Sequence, residues 1–263
     1  MGRYYLECSP TTANLYRVTK NMDSTGFSEF VASRRTTRDF LPKPVPEKLI
    51  DQLIADAMTA PSWSNTRPFM VGIATGERRD RISKEFLNRW KAASDALNSG
   101  IWGRLKLLIT RYGLPKSDYR VFRPYPKDLK PRQQKVGADL YGFIDISRDD
   151  RQARQAQWGR NYEFFGAPVS LFIFTHSGLG EYSVSDAGLF MQNLMLSAHA
   201  HGLGSCAQGA SALWAEPVRK EFEIPRGYKL LCGIAIGYPT DHKINQFHAE
   251  RLDIDQIKLT PND

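Results

Sequence analysis

Two apolar segments in the second half of the chain constrain the fold most strongly. Val169 to Thr175 is an apolar run of the length expected for a central strand covered on both faces. Tyr228 to Tyr238 reads as a second apolar strand, and Phe69 to Ala74 as a third, buried one. Because buried strands need helices packed over them, these segments predict an α+β fold with a central sheet covered by helices.

Apolar residues at helical spacing fill most of the intervals between these strands. A long helix that is apolar nearly all round is predicted from about Ser185-Asp186 to Gly202, and such a helix belongs in a core or in a subunit interface. Other helices are predicted from Pro46 to Met58, for about twenty residues from Glu77, from Arg148 to Asn161 and from Leu213 to Phe222.

Length alone does not decide between one large domain and two small ones. The chain shows no internal repeat and no low-complexity linker, so we predict a single domain over residues 1–263. Three parts lie outside the regular pattern. These are an irregular N-terminal extension (1–29), an aromatic-rich insertion (98–135) and a charged C-terminal tail (241–263).

The net charge of +8 and the pI of 9.4 raise nucleic acid, anionic membrane and acidic small molecules as partners. The basic residues are spread along the chain, so we expect neither nucleic acid nor a membrane as partner. No apolar stretch has the roughly 20 residues that crossing a bilayer requires, and the N-terminus does not resemble a signal peptide.

The cysteines and histidines point to no metal site. Cys8, Cys206 and Cys232 are odd in number and form no C-x-x-C pair, which fits a reducing cytoplasm. His199 and His201 are two residues apart near a helix end and therefore face different directions. We predict no metal ion and a cytoplasmic protein.

Three segments carry residues suited to binding a phosphate group and a flat ring. Arg34, Arg35 and Arg38, with the hydroxyls of Thr36 and Thr37, could grip phosphate oxygens, or could form a solvated turn. Asn65, in the loop Ala60 to Pro68, could read a pyrimidine-like ring edge, or the loop could be an ordinary connection. The glycines of Gly202 to Ser211 could admit a flat ligand, or could cap a helix.

Together the segments resemble the nitroreductase family. The motifs are Arg34 to Phe40, Ala60 to Pro68, Gln192 to Gly204 and Gly237-Tyr238-Pro239, and the resemblance runs from about Phe30 to Ile257. The stretches Tyr141 to Asp150 and Asn161 to Pro168 are similar to a longer-chain bacterial branch that includes nitrobenzoate-reductase-like enzymes.

The resemblance implies a mostly antiparallel sheet in an obligate, entwined homodimer with two FMN molecules at the subunit interface. It implies that Arg34, Arg35, Thr36 and Arg38 contact the FMN phosphate and ribityl chain, joined by Arg251. Around the ring it implies Pro61, Ser62, Asn65 and the backbone of Gln208, Gly209 and Ala210 beside flavin N5.

Two positions depart from the family pattern. Arg67 stands where the family often has Gln, and it could place a positive charge beside the pyrimidine ring, favouring the reduced flavin anion. His248 replaces the usual first arginine of the tail, and we include it among the cofactor-binding residues with its role open.

The resemblance implies an enzyme that takes hydride from NADH or NADPH and reduces nitroaromatic or similar electron-poor aromatic or quinone substrates by a ping-pong mechanism. The flavin carries the redox chemistry, so no catalytic side chain is expected. Reductive dehalogenation or substrate oxidation on the same scaffold is the first alternative. A non-catalytic regulator that binds flavin or nucleic acid is the second.

The aromatic insertion is open to two interpretations. Trp102, Phe122 and Tyr125 could roof the substrate pocket, or they could anchor a loop on the core, which is the commoner use of aromatic side chains. The sequence does not distinguish them.

Overall fold

The computed structural model describes residues 23–121 and 123–261. The chain divides between Arg34 and Arg35 into two compact units. In the first unit, helix α1 (Ser24–Ser33) begins at Asp23, whose carboxylate accepts a hydrogen bond from the Gly26 N–H at 2.6 Å. The predicted irregular extension is therefore helical from residue 24. The single domain over 1–263 stays a prediction.

The second unit contains the sheet and most of the helices. Its strands are β1 (Phe69–Thr75), β2 (Val169–His176), β3 (Gly204–Gln208) and β4 (Tyr228–Gly237). Its helices are α2 (Glu47–Ala57), α3 (Gly76–Asn98), α4 (Gly100–Thr110), α5 (Lys130–Phe143), α6 (Arg151–Gly159), α7 (Glu181–Ala200) and α8 (Ala215–Arg219). Short 3-10 segments include Trp63–Asn65, Arg160–Gly166, Gly209–Ala212 and Lys243–Gln246.

The four strands form one antiparallel sheet in the order β1-β2-β4-β3. Strand β2 is central and its residues 169–175 are all buried, as an apolar run covered on both faces requires. The predicted mixed fold with a mostly antiparallel sheet is confirmed.

Separate layers cover the two faces of the sheet. On one face, Phe86 of α3 packs with Phe172, Phe174 and Trp214. On the other, α2 and α7 contribute Leu53, Phe190 and Leu194 against Ile173 and Ile234. Helices α3 and α7 therefore lie on opposite faces.

Helix α7 begins at Glu181, four residues before the predicted capping pair. The chain turns into it at Gly180, whose φ of +52° favours glycine. The Asp186 carboxylate does not cap the helix, because it accepts a hydrogen bond from the Trp63 N–H at 3.0 Å. The capping interpretation was wrong because the carboxylate has a tertiary partner.

Other boundaries differ from the predictions for local reasons. The segment predicted as a glycine-rich connection contains strand β3, which forms because Gly204–Gln208 pairs with β4. The 98–135 insertion contains α4 and the start of α5, which its aromatic residues and prolines obscured. Helix α6 begins after its cap Asp150 and gives way to a 3-10 segment, and α8 is half the predicted length.

Within 23–121 and 123–261, no helix is long and apolar enough to cross a bilayer.

Candidate active site

The arginine segment lies along the free edge of β3. The Thr37 N–H donates to the Ser205 carbonyl at 3.0 Å, and Thr36 forms a parallel bridge with Ser205. Thr37 packs so tightly on Gly204 that a Cβ there would lie 2.3 Å from its Oγ1. The first and third predicted segments are therefore in contact, through a register that requires glycine at 204.

Two arginine side chains of this segment are available to an anion. Arg35 is exposed and Arg38 is half-buried. Among the described residues, neither guanidinium has a carboxylate within ion-pair distance. Arg34 lies at the C-terminal cap of α1, in the first compact unit, and its predicted role stays a sequence prediction.

Asp39 ties this segment to two distant parts of the chain. Its carboxylate accepts from Thr240 Oγ1 at 2.6 Å and pairs with Arg160 at 2.8 Å. Burial alone would raise the pKa of Asp39, but the hydrogen bonds from Thr240 and Arg160 outweigh it and hold the pKa below its usual value. Asp39 is thus anionic at neutral pH. It forms its ion pair with Arg160 and not with Arg35 or Arg38.

The C-terminal tail fixes the same segment from the other side. The Asn245 side chain accepts from the Arg38 N–H at 2.7 Å and donates to the carbonyls of Asp39 at 2.8 Å and Thr240 at 3.0 Å. The sequence motifs do not predict the roles of Asn245 and Asp39, because their partners lie about 200 positions away. Predicted residues His248 and Arg251 are exposed, and Arg251 Nη1 donates to the Ala249 carbonyl at 2.8 Å.

An acid-stability prediction follows from Asp39. Because its folded-state pKa is depressed, its contribution is present above the unfolded pKa of about 4 and is lost as pH falls through the lower folded value. We expect Asp39→Asn to reduce the free energy of unfolding at pH 7 by about 1 kcal/mol and to flatten its fall below pH ~4. Urea unfolding at a series of pH values measures both. Asp145→Asn, at an exposed pair with Lys243, is the control and should change neither.

The loop before β1 holds a strained backbone. Ser64, Asn65 and Arg67 have φ of +48°, +56° and +45°, the left-handed region that non-glycine residues seldom adopt. Ser62 Oγ accepts from the Arg67 N–H at 3.0 Å, and Arg67 Nη1 donates to Asn65 Oδ1. The Asn65 oxygen is therefore taken by Arg67, and its amide nitrogen is the group left to face a ligand. Pro61, at the start of the loop, is exposed.

Gln208 ends β3 and is almost fully buried. Its Nε2 donates to the Asn161 carbonyl at 2.9 Å, so the side chain anchors the strand end to the Arg160–Gly166 segment. The next residue, Gly209, has open space where a Cβ would stand. The backbone of Gly209 and Ala210, predicted to adjoin flavin N5, thus starts from a fixed strand end with room for a flat ligand.

The loop and the arginine segment lie at opposite edges of the sheet. Strand β1 follows the loop, and β2, β4 and β3 separate it from the arginine segment. At about 4.8 Å per strand, these four steps amount to roughly 19 Å. One chain therefore does not bring Asn65 beside Arg35 or Arg38.

The aromatic residues predicted to roof the substrate pocket are not gathered at either edge. Trp102 is 77% exposed on α4 and Tyr125 is 56% exposed, while Phe122 lies outside the described residues. A cleft of about 760 Å³ between α3 and α4 is lined by residues such as Asn88, Lys91 and Leu107, and by none of the predicted cofactor residues.

Groups able to hold a metal ion were not found in the part of the chain that the structure describes. Cys206 and Cys232 are buried, and Cys8 lies outside the described residues. Burial raises the pKa of the Cys232 thiol to about 12, so this thiol is a packing residue rather than a nucleophile.

Comparison with known proteins identifies the family. Residues 31–238 match the model of the nitroreductase family. The chain is 33% identical to the 4-nitrobenzoate reductase of Pseudomonas putida over 218 residues, covering 82% of this chain and 86% of that protein. It is 27% identical to the chloronitrobenzene nitroreductase of Comamonas testosteroni, covering 87% and 94%.

Solved structures of nitroreductases share the fold of this chain. The crystal structure of the FMN and NADPH-dependent nitroreductase NfnB from Sphigopyxis sp. strain HMH superposes with a TM-score of 0.75 at 29% identity, covering 90% of this chain and 99% of that one. The FMN-dependent NfnB of Mycobacterium smegmatis in complex with NADPH superposes with a TM-score of 0.74 at 27% identity, covering 91% and 100%. The family resemblance predicted from the motifs is confirmed, and the chain belongs to the nitroreductase family.

Proposed function

We propose that this protein is an FMN-dependent oxidoreductase that uses NADH or NADPH to reduce nitroaromatic compounds. The observation that carries the proposal is the arginine segment, which β3 and Asn245 hold in place while the guanidinium groups of Arg35 and Arg38 have no carboxylate partner within residues 23–121 and 123–261. The predicted enzyme class agrees with the family and with the names of its relatives.

The residues present fit FMN. Its phosphate is an anion, and the two guanidinium groups of Arg35 and Arg38 supply charge-assisted donors for it beside the Thr36 hydroxyl. The open space at Gly209 suits a flat ring, and the Asn65 amide nitrogen is a donor for a ring carbonyl. When bound, FMN supplies the transfer of electrons from the nicotinamide to the acceptor.

The protein's own contribution is orientation and charge. Arg35, Thr36 and Arg38 would hold the phosphate end, with Arg251 and His248 from the tail, whereas Arg34 is assigned to the phosphate by the family resemblance alone. The backbone N–H groups of Gly209 and Ala210 would be donors for flavin N5, and they follow a strand end that Gln208 fixes to the Asn161 carbonyl. The ring would be lined by Pro61, Ser62, Asn65 and Arg67. The positive charge of Arg67 would favour the anionic reduced form of the flavin.

The complete site is proposed to form between two copies of the chain. The loop and the arginine segment lie roughly 19 Å apart within one subunit, so a second subunit would bring its loop to the first subunit's arginines. Exposed apolar residues cluster around that loop and on α7, which packs beside it. They are Trp63 at 52%, Met70 at 42%, Tyr182 at 51% and Leu189 at 44% exposed, and the Trp63 and Tyr182 rings are 4.2 Å apart.

Leu189→Glu tests this interface. A charge buried in the centre of an apolar interface is left unpaired, so we expect the variant to raise the dimer dissociation constant at least about tenfold. Light scattering with size-exclusion chromatography over a range of concentrations measures it. Leu105→Glu, at a similarly exposed leucine of α4 on the opposite layer, is the control. A wild-type chain that is monomeric at all concentrations would contradict the homodimer.

The substrate is proposed to be a nitroaromatic compound, as the names of the relatives suggest. Trp102, Phe122 and Tyr125 stay predicted pocket residues, and the cytoplasm stays the proposed compartment.

Cofactor content tests the proposal directly. Purified protein should be yellow and should release about one FMN per chain on acid denaturation, identified by chromatography. Protein that is colourless and takes up no added FMN would overturn it. Reoxidation of the NADPH-reduced protein by nitroaromatic, halogenated and quinone acceptors, tested in parallel, then separates nitroreduction from the alternatives.

A further inference from the structure

Helix α4 presents its apolar side to solvent. Five large residues of this eleven-residue helix are exposed, namely Ile101 at 78%, Trp102 at 77%, Leu105 at 46%, Leu108 at 63% and Ile109 at 74%. At 100° per residue they occupy one arc of about 120°. The opposite side faces α3 through Gly103, where a Cβ would lie 2.8 Å from the Ala96 carbonyl oxygen, and through the half-buried Leu107.

Basic residues flank this arc and dominate its surroundings. Arg104 and Lys106 are exposed on its two sides. Residues 100–135 contain ten Lys and Arg against two Asp, whereas the rest of the chain has 26 residues of each sign. The whole net charge of +8 therefore lies in the segment that carries the exposed apolar arc.

Of those ten cations, only Lys135 forms an ion pair among the described residues, with Asp139 and Glu250. One of the two acidic residues, Asp118, is neutralised by Arg219 at 2.5 Å. Most of the positive charge around α4 thus has no ion-pair partner in the part of the chain that the structure describes.

We propose that α4 and the basic segment around it form a docking surface for a bilayer containing anionic lipid. Such a bilayer offers an apolar interior for the arc and negative headgroups for the flanking cations at one surface. Exposed Trp102, Tyr112 and Tyr125 belong to the residue types favoured at the headgroup level, a role for Trp102 and Tyr125 in place of the predicted substrate pocket. This proposal departs from our sequence-based expectation that no membrane is a partner, and it does not depend on the proposed function.

A second copy of the chain fits this surface less well. A symmetric α4–α4 contact would bring two segments of the same strong positive charge together. The apolar residues proposed for dimerisation lie with α7, on the opposite face of the sheet from α3, against which α4 packs. The cleft between α3 and α4 is lined on the α4 side by Gly103, Lys106, Leu107 and Thr110, none of which belongs to the apolar arc.

Vesicle flotation with the purified protein, with whatever cofactor it carries, tests the proposal. We expect binding to phosphatidylcholine vesicles that contain phosphatidylserine, a loss of most of that binding at high salt, and little binding to phosphatidylcholine alone. Leu108→Glu and Ile109→Glu should each reduce the bound fraction about tenfold, and Lys106→Glu severalfold. Leu259→Glu, at a 94% exposed leucine of the tail, is the matched control and should bind as the wild type does.

Melting temperature, FMN content and oligomeric state of each variant are measured alongside. Loss of vesicle binding with these three unchanged supports the lipid surface. Absence of binding to the anionic vesicles by the wild type overturns it. Dissociation of the dimer by Leu108→Glu without any lipid also overturns it, because the arc would then belong to the subunit interface.

Discussion

Replacing Arg35 and Arg38 together with alanine is expected to weaken FMN binding by about 10² to 10⁴-fold. A hydrogen bond to a charged group contributes about 1.5–3 kcal/mol, and each arginine contributes at least one such bond to the phosphate. Neither guanidinium has a carboxylate partner among the described residues, so their loss leaves no buried protein charge unpaired. Fluorescence titration of the apoprotein with FMN measures the change.

Riboflavin separates a phosphate contact from general damage to the site. Because riboflavin lacks the phosphate, its affinity should be nearly the same for the variant and the wild type. Arg226→Ala, at an exposed arginine outside the segment, should leave both affinities unchanged. If the double variant lost FMN and riboflavin affinity by equal factors, the arginines would not be phosphate ligands.

Gly204→Ala is expected to have the second largest effect, lowering the free energy of unfolding by about 2–3 kcal/mol. The added Cβ would lie 2.3 Å from Thr37 Oγ1 and 2.7 Å from Thr37 Cβ, so either β3 or the arginine segment has to move. Since the Thr37 N–H bonds to Ser205, the displacement should also weaken FMN binding. Thermal or urea unfolding and the same FMN titration measure the two effects.

Two further variants make this prediction specific. Gly137→Ala, in α5 with open space around its Cβ, should be neutral or stabilising by up to about 1 kcal/mol, because alanine is the better helix former. Adding Thr37→Gly to Gly204→Ala removes the clashing side chain and should recover part of the stability. Equal unfolding free energies for Gly204→Ala and Gly137→Ala would show that the contact at 204 is not tight.

The sequence predicted those parts of the fold that depend on local apolar patterns. Strands β1, β2 and β4 and helices α2 and α3 lie close to their predicted bounds, because long periodic or continuous apolar segments leave few alternatives. Strand β3 was missed because Gly204-Ser205-Cys206-Ala207-Gln208 has little intrinsic strand preference, and pairing with β4 supplies its conformation.

The charged and glycine-rich motifs of the candidate site could be predicted from the sequence. The residues that hold those motifs in place could not. Arg35, Arg38 and Gly209 stand out by residue type and spacing. Asn245, Thr240 and Arg160 bond to Arg38 or Asp39, which lie 120 or more positions away in the sequence. No local sequence pattern predicts such partners. Asp39 alone indicated that a distant partner exists, because a carboxylate inside an anion-binding segment requires a cation of its own.

The central claim concerns electron transfer from a nicotinamide through FMN to a nitroaromatic acceptor. Anaerobic mixing of the FMN-loaded wild-type protein with NADPH or NADH in a stopped-flow instrument tests it most directly. We predict that at least one of the two bleaches the flavin absorbance, and that 4-nitrobenzoate then restores it in air-free buffer. Flavin that neither nucleotide bleaches, or that stays bleached in the presence of nitroaromatic acceptors, would contradict the account.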